Sequence, residues 1–175
     1  MNIRNLSLAL ATAVLGLAAG TASAGSTQGS FDVSATVSGS CVITSAQAIA
    51  FGNYDPTAAH ASADLDGAGA VAVRCTAGST NVLVSLDQGQ HADAASSAEA
   101  PLRRMSSGDD FISYSLFKDA GRSEVWGAGG SADNVIAEFT SSLVPVDLTT
   151  YGRIAGGQNA SIGTYTDTVG INVTF

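Results

Sequence analysis

Two cysteines, two histidines and a few paired carboxylates are the residues with which this chain could do chemistry. Cys41 and Cys75 stand 34 positions apart. That spacing fits neither the CxxC of a redox pair nor a zinc site, and no histidine lies near either thiol. Behind an export signal a disulfide is the default reading. It would close a loop of about 34 residues and contribute roughly 4 kcal/mol on the chain-entropy account. His60 and His91 each sit in an Ala- and Asp-rich stretch with no nucleophile patterned nearby, and read as surface residues. A Ser-His-Asp triad is a spatial arrangement that sequence order does not display, and no G-x-S-x-G turn points to one. Asp64-Leu-Asp66-Gly67 faintly resembles a calcium loop, but the remaining ligand positions and a closing Glu are absent. Asp109-Asp110 reads as a solvated turn. Trp126 reads as a core or groove-edge residue, the alternative being an exposed ring for sugar stacking. The expectation is a chain with no catalytic residue, no metal and no cofactor.

The elements that hold these residues begin after a leader. Arg4 supplies a positive start, Leu6 to Ala19 an apolar run, and Ala22-Ser23-Ala24 an A-x-A cleavage site. Residues 1–24 read as a secretory signal peptide. Gly25 follows where a lipoprotein would need a cysteine. Removing Arg4 takes the formal charge from −8 to −9 and leaves six scattered basic residues. Such a surface is a poor partner for nucleic acid. Charged residues are 13% of the chain, with Gly, Ala, Ser and Thr in their place. That balance suits an exported polymer built from sheets better than a cytoplasmic enzyme.

Periodicity of two dominates the remainder. In Gly163–Phe175, Tyr165, Asp167, Val169, Ile171, Val173 and Phe175 share one face, and all but Asp167 are apolar. This predicts a long one-sided strand ending on an aromatic, as an edge or an unfinished pairing. Phe31, Val33, Ala35 and Val37 alternate with Asp32, Ser34 and Thr36 in a second such strand near the mature N-terminus. Gly25–Ser30 makes a flexible arm before it. Two one-sided strands at opposite ends suggest that one subunit finishes the sheet of the next. Between them, strands are expected at 41–44, 49–52, 70–75, 82–86, 111–118, 135–139 and 143–148, with a turn at Gly156-Gly157. Residues 88–107 and 127–134 read as loops, the first with room for one helical turn at 92–100. Short strands at this spacing argue for an antiparallel β-sandwich.

The order of local motifs carries a resemblance. After the first alternating strand come Gly39-Ser-Cys41, Phe51-Gly-Asn-Tyr-Asp55, Val73-Arg-Cys75-Thr, Arg104-Met105 and Tyr114-Ser-Leu-Phe-Lys-Asp119. Val125-Trp126-Gly127, Tyr151-Gly-Arg153-Ile154 and Gly163-Thr-Tyr165-Thr-Asp167-Thr-Val169 follow, with a closing aromatic. Over essentially the whole mature chain this resembles the spore coat protein U domain, which includes major subunits of archaic (Csu-type) chaperone–usher pili. The resemblance implies an incomplete immunoglobulin-like antiparallel β-sandwich, completed by donor-strand exchange. It implies a periplasmic chaperone that lends a strand, and an outer-membrane usher that exchanges it for the N-terminal segment of the next subunit. Identical or related subunits would then join head to tail on the cell surface.

Carried onto this chain, Phe31, Val33, Ala35 and Val37 are the donor strand and Tyr165, Val169, Ile171, Val173 and Phe175 line the acceptor groove. Cys41 and Cys75 form the disulfide, and the domains run 25–38 for the arm and 39–175 for the sandwich. Ala35 is small for a pocket-filling position, which calls for a shallow pocket. Filling such a groove would contribute roughly 5–8 kcal/mol at about 25 cal/mol per Å², with about five to seven ladder hydrogen bonds adding register. Head-to-tail addition is heterologous and yields a filament. The alternatives are a spore or cyst coat protein of the same fold, and a minor or tip-proximal adhesive subunit that touches its target through residues 88–107 and 127–134.

Overall fold

The computed structural model describes residues 23–175, so all but the last two residues of the expected signal peptide lie outside the described part. Residues 23–40 form no helix or strand. The compact sandwich unit spans Val37–Phe175. Its strands are β1 (Cys41–Gln47), β2 (Leu65–Cys75), β3 (Thr80–Leu86), β4 (Arg103–Ser107), β5 (Asp110–Phe117), β6 (Asn134–Glu138), β7 (Val146–Ile154) and β8 (Ile171–Thr174). A single 3-10 turn, Gly130–Ala132, precedes β6. Every strand pairing is antiparallel. One sheet has the order β1-β2-β7-β5-β4, the other β6-β3-β8.

Alternation explains the core. Val71, Val73 and Cys75 of β2 meet Val82, Val84 and Leu86 of β3, while β5 adds Ile112, Tyr114 and Leu116. These strands are rich in β-branched and aromatic residues, which suit a pleated, half-buried surface. Trp126 is fully buried, as the core reading of it expected. It ties the sheets together: its backbone N–H donates to Leu116 of β5 at 2.9 Å, and its indole N–H to Val84 of β3 at 2.8 Å. Cys41 and Cys75 face each other across the β1–β2 ladder and are disulfide-bonded, Cα to Cα 4.1 Å.

Several expected elements differ. The terminal strand is not continuous over Gly163–Phe175. Thr166 bridges Ser106 of β4 in one sheet, whereas Ile171–Thr174 pairs with β3 in the other. A segment that changes sheets gives up its ladder between the two pairings. Its inward alternation nevertheless persists, with Tyr165, Asp167, Val169, Ile171 and Val173 all half-buried. Phe31–Val37 is not a strand, because a strand exists only by pairing. Residues 49–52 are not a strand either; they lie flat on the inner sheet face. The tail of the expected 88–107 loop is β4, hidden from a hydropathy reading by its two arginines. No helix forms at 92–100, where only turns occur. β7 begins three residues later than expected and runs on to Ile154.

Candidate functional site: an open cleft between two strand edges

β1 is one edge of the five-stranded sheet and β8 one edge of the three-stranded one, β4 and β6 being the others. Among the described residues no ladder joins β1 to β8. The sandwich therefore gapes along this side, and a cleft of about 420 Å³ lies between residues 46–51 and residues 165–171. Its floor is apolar: Val71, Leu86, Met105, Tyr114 and Leu116, with Phe51 at the side. A second hollow of about 710 Å³ continues from it between residues 53–57 and 160–165, sharing Ile49, Phe51, Met105 and Tyr165.

Of the residues expected to line a groove, Tyr165, Val169 and Ile171 do line this cleft. Val173 is half-buried, pairs with Val84 and packs against the core beyond the cleft's lining. Phe175 lies past the last ladder pair and is 63% exposed. On the arm, Phe31, Val33 and Val37 are 86%, 84% and 82% exposed, and Ala35 is exposed as well. Three large apolar side chains of one short segment are thus open to water.

Glycines allow the wall formed by residues 47–51. A Cβ at Gly67 would stand 2.8 Å from Ile49, one at Gly69 2.5 Å from the Gln47 carbonyl, and one at Gly152 2.7 Å from the Phe51 ring. Gly67 and Gly152 are direct ladder partners on β2 and β7. Ile49 and Phe51 thus rest on a flat seam that no other residue type would leave. Phe51 also meets Tyr114 edge-on, ring centroids 6.3 Å apart.

The polar exception on the opposite wall is buried. The side chain of Asp167 is 2% exposed. It accepts from the Tyr114 hydroxyl at 2.6 Å and the Gln90 backbone N–H at 2.9 Å, and lies 3.1 Å from His91 Nδ1. Burial and the bond to Asp167 push the Tyr114 hydroxyl well above the usual tyrosine range. Nearby, Arg103 is 1% exposed and its guanidinium binds the carbonyls of Leu86, Asp87 and Trp126. Burial holds its pKa below the usual arginine value. Periodicity named Asp167 as the one polar inward residue; nothing in the sequence showed its partners, because two distant segments, residues 90–91 and β5, supply them.

A family model for the Spore Coat Protein U domain matches residues 27–172. The chain belongs to the spore coat protein U domain family. Protein U of Myxococcus xanthus is 36% identical over 183 residues, with both chains covered in full. A solved structure with the same fold is the chaperone–tip adhesion subunit pre-assembly complex of the archaic chaperone–usher Csu pili of Acinetobacter baumannii. It matches at 23% identity and a TM-score of 0.54, over 80% of this chain. This chain spans 40% of the length of the chain it matches there. The immunoglobulin-like, all-β antiparallel class expected from the sequence is therefore the fold of this family member.

Away from the cleft, this spore coat protein U domain uses its other polar motifs structurally. Asp64 and Asp66 both pair with Arg153, at 3.2 and 2.8 Å, and Asp66 also with Arg122 at 3.2 Å. The faint calcium-loop pattern is thus a set of carboxylates turned to cations of the same protein. His60 accepts the Asp55 backbone N–H at 2.9 Å and stacks on Tyr54, centroids 5.1 Å apart. Both histidines are half-buried and hydrogen-bonded, not the plain surface residues expected. Asp109 sits in the tight turn between β4 and β5, as expected, whereas Asp110 is already the first residue of β5.

Proposed function

We propose that this protein is an exported, non-catalytic structural subunit whose cleft accepts an extended strand from another subunit. The observation that carries the reading is the apolar cleft between two unbonded sheet edges, in a chain that also presents Phe31, Val33, Ala35 and Val37 in alternation. A strand laid in the cleft satisfies the idle backbone groups of an edge and buries alternate side chains on its floor. The arm, residues 25–38, is the donor; residues 39–175 are the acceptor. Because donor and acceptor surfaces differ, the assembly runs head to tail into a filament at the cell surface, serving adhesion or biofilm formation. Before assembly the open cleft needs a guardian, and a periplasmic chaperone lending a strand fits that need. An outer-membrane usher fits the exchange that follows.

The test is deletion of residues 25–38. The truncated subunit is expected to bind chaperone and to be absent from fibres. Fibres of normal length built from it would refute the proposal. A second reading, a spore or cyst coat protein assembled without an usher, is favoured by the match of residues 27–172 to the Spore Coat Protein U domain, beside the full-length 36% identity to Protein U of Myxococcus xanthus. Chaperone and usher genes beside this one, with surface filaments that vanish when it is removed, support the pilus. A coat lost in place of filaments supports the other reading.

A further inference from the structure

The wall of the cleft is weakest where the C-terminal segment changes sheets. Thr166 is the last residue bridged to β4 and Ile171 the first paired with β3, so residues 167–170 have no ladder partner. Asp167, Thr168 and Val169 nevertheless line the cleft. Four contacts from one loop, Asp87–His91, stand in for the missing ladder. The Asp87 N–H donates to the Gly170 carbonyl at 2.9 Å, and the Gly170 N–H returns a bond to Asp87 Oδ1 at 2.8 Å. The Gln90 N–H and the His91 ring hold Asp167 Oδ1 at 2.9 and 3.1 Å. Glycine makes the approach possible on both sides. Gly89, at φ +77°, and Gly170 leave no room for a Cβ, which would collide with the Asp167 and Asp87 carboxylates respectively.

We infer that loop Asp87–His91 is a latch that holds residues 167–170 in register for an incoming strand, with Asp167 and His91 as its positioning residues. Strand addition needs the receiving edge ordered beforehand, since every backbone bond it offers must meet a partner on arrival. A buried carboxylate enforces that order sharply. Asp167 is tolerable at its depth only while its donors stay in place, so the wall is either fully latched or released. The groups facing His91 are Asp167 itself, the Phe111 ring at 6.4 Å, and Arg104, which donates to the His91 carbonyl and pairs with Asp93. This inference rests on the strand-acceptor reading above.

The experiment uses the mature chain carrying Val33→Asp, so that its own arm does not compete. Binding of a labelled peptide of residues 27–38 is followed by fluorescence anisotropy, alongside amide exchange. His91→Ala is expected to weaken binding about tenfold and to speed exchange at residues 168–170. Protection in β2 and β5 should stay as in the parent. His91→Gln, which keeps a side-chain N–H for Asp167, is expected to recover most of the affinity. Asp167→Ala should lose more, and the His91 pair carries the test if that variant does not fold. Unchanged affinity and unchanged exchange in His91→Ala would overturn the latch while leaving the acceptor cleft standing. No peptide binding to the parent chain would remove the acceptor reading and the latch with it.

Discussion

At the scale of single residues, charge is placed so that acid and alkali attack the fold through different groups. The Arg153 side chain bonded to Asp66 holds that carboxyl below the usual range, and the Glu124 backbone N–H does the same for Asp119. A lowered folded pKa means stabilisation that is present above about pH 4 and lost as pH falls through the folded value. Tyr114 has the opposite sign: burial raises it, so the folded state keeps its proton while the unfolded chain gives it up. Its stabilisation is whole below about pH 10 and falls away above. Urea midpoints taken across pH are expected to form a plateau with a drop below about pH 4 and another above about pH 10. An alkaline limb as flat as the plateau would show that Tyr114 is not held protonated. Asp167 teaches a related lesson. Its inward position was legible from period two alone, but its character as a hub was not, since Gln90, His91 and Tyr114 come from distant sequence.

At the scale of elements, strands buried on one face by aliphatic and aromatic alternation were readable: β3, β5 and the inner half of β2 follow the pattern within a few residues. Elements decided by tertiary contact were not. β4 carries Arg103 and Arg104, whose polarity speaks for a loop, yet Arg103 is swallowed by three backbone carbonyls. Residues 49–52 look like a strand by composition and are laid flat by glycines on two other strands. That seam gives a sharp prediction. Gly152 has ordinary strand geometry, and valine favours strands, so Gly152→Val should be benign by local propensity. Its side chain would instead drive into Phe51, displace residues 47–51 and cost about 1–3 kcal/mol as overpacking does. The urea midpoint should fall, and binding of the 27–38 peptide should weaken with it. A variant as stable as the parent would mean that Phe51 moves aside freely.

For the molecule as a whole, the proposed division of labour separates giving a strand from taking one. A subunit with Val33→Asp keeps its cleft and spoils its arm, because a carboxylate cannot enter an apolar pocket without a partner. Mixed with the parent protein, it is expected to stay out of the body of a filament, because each incoming copy must seat its arm in the cleft of the copy before it. Electron microscopy of a gold-labelled variant should then show label at filament ends alone. Label spread along the filaments would argue that strands are not passed from one copy to the next. The disulfide bears on what such a filament withstands. Only residues 39–40 separate the arm from Cys41, and Cys41 is the first residue of β1. Tension on the arm therefore does not peel β1 from β2 one rung at a time. It passes through the sulfur bridge to Cys75, at the end of an eleven-residue strand rooted in the core. With the bond intact, all of β1 is bypassed by the load; with it reduced, the same pull meets an edge strand that unzips from its first rung.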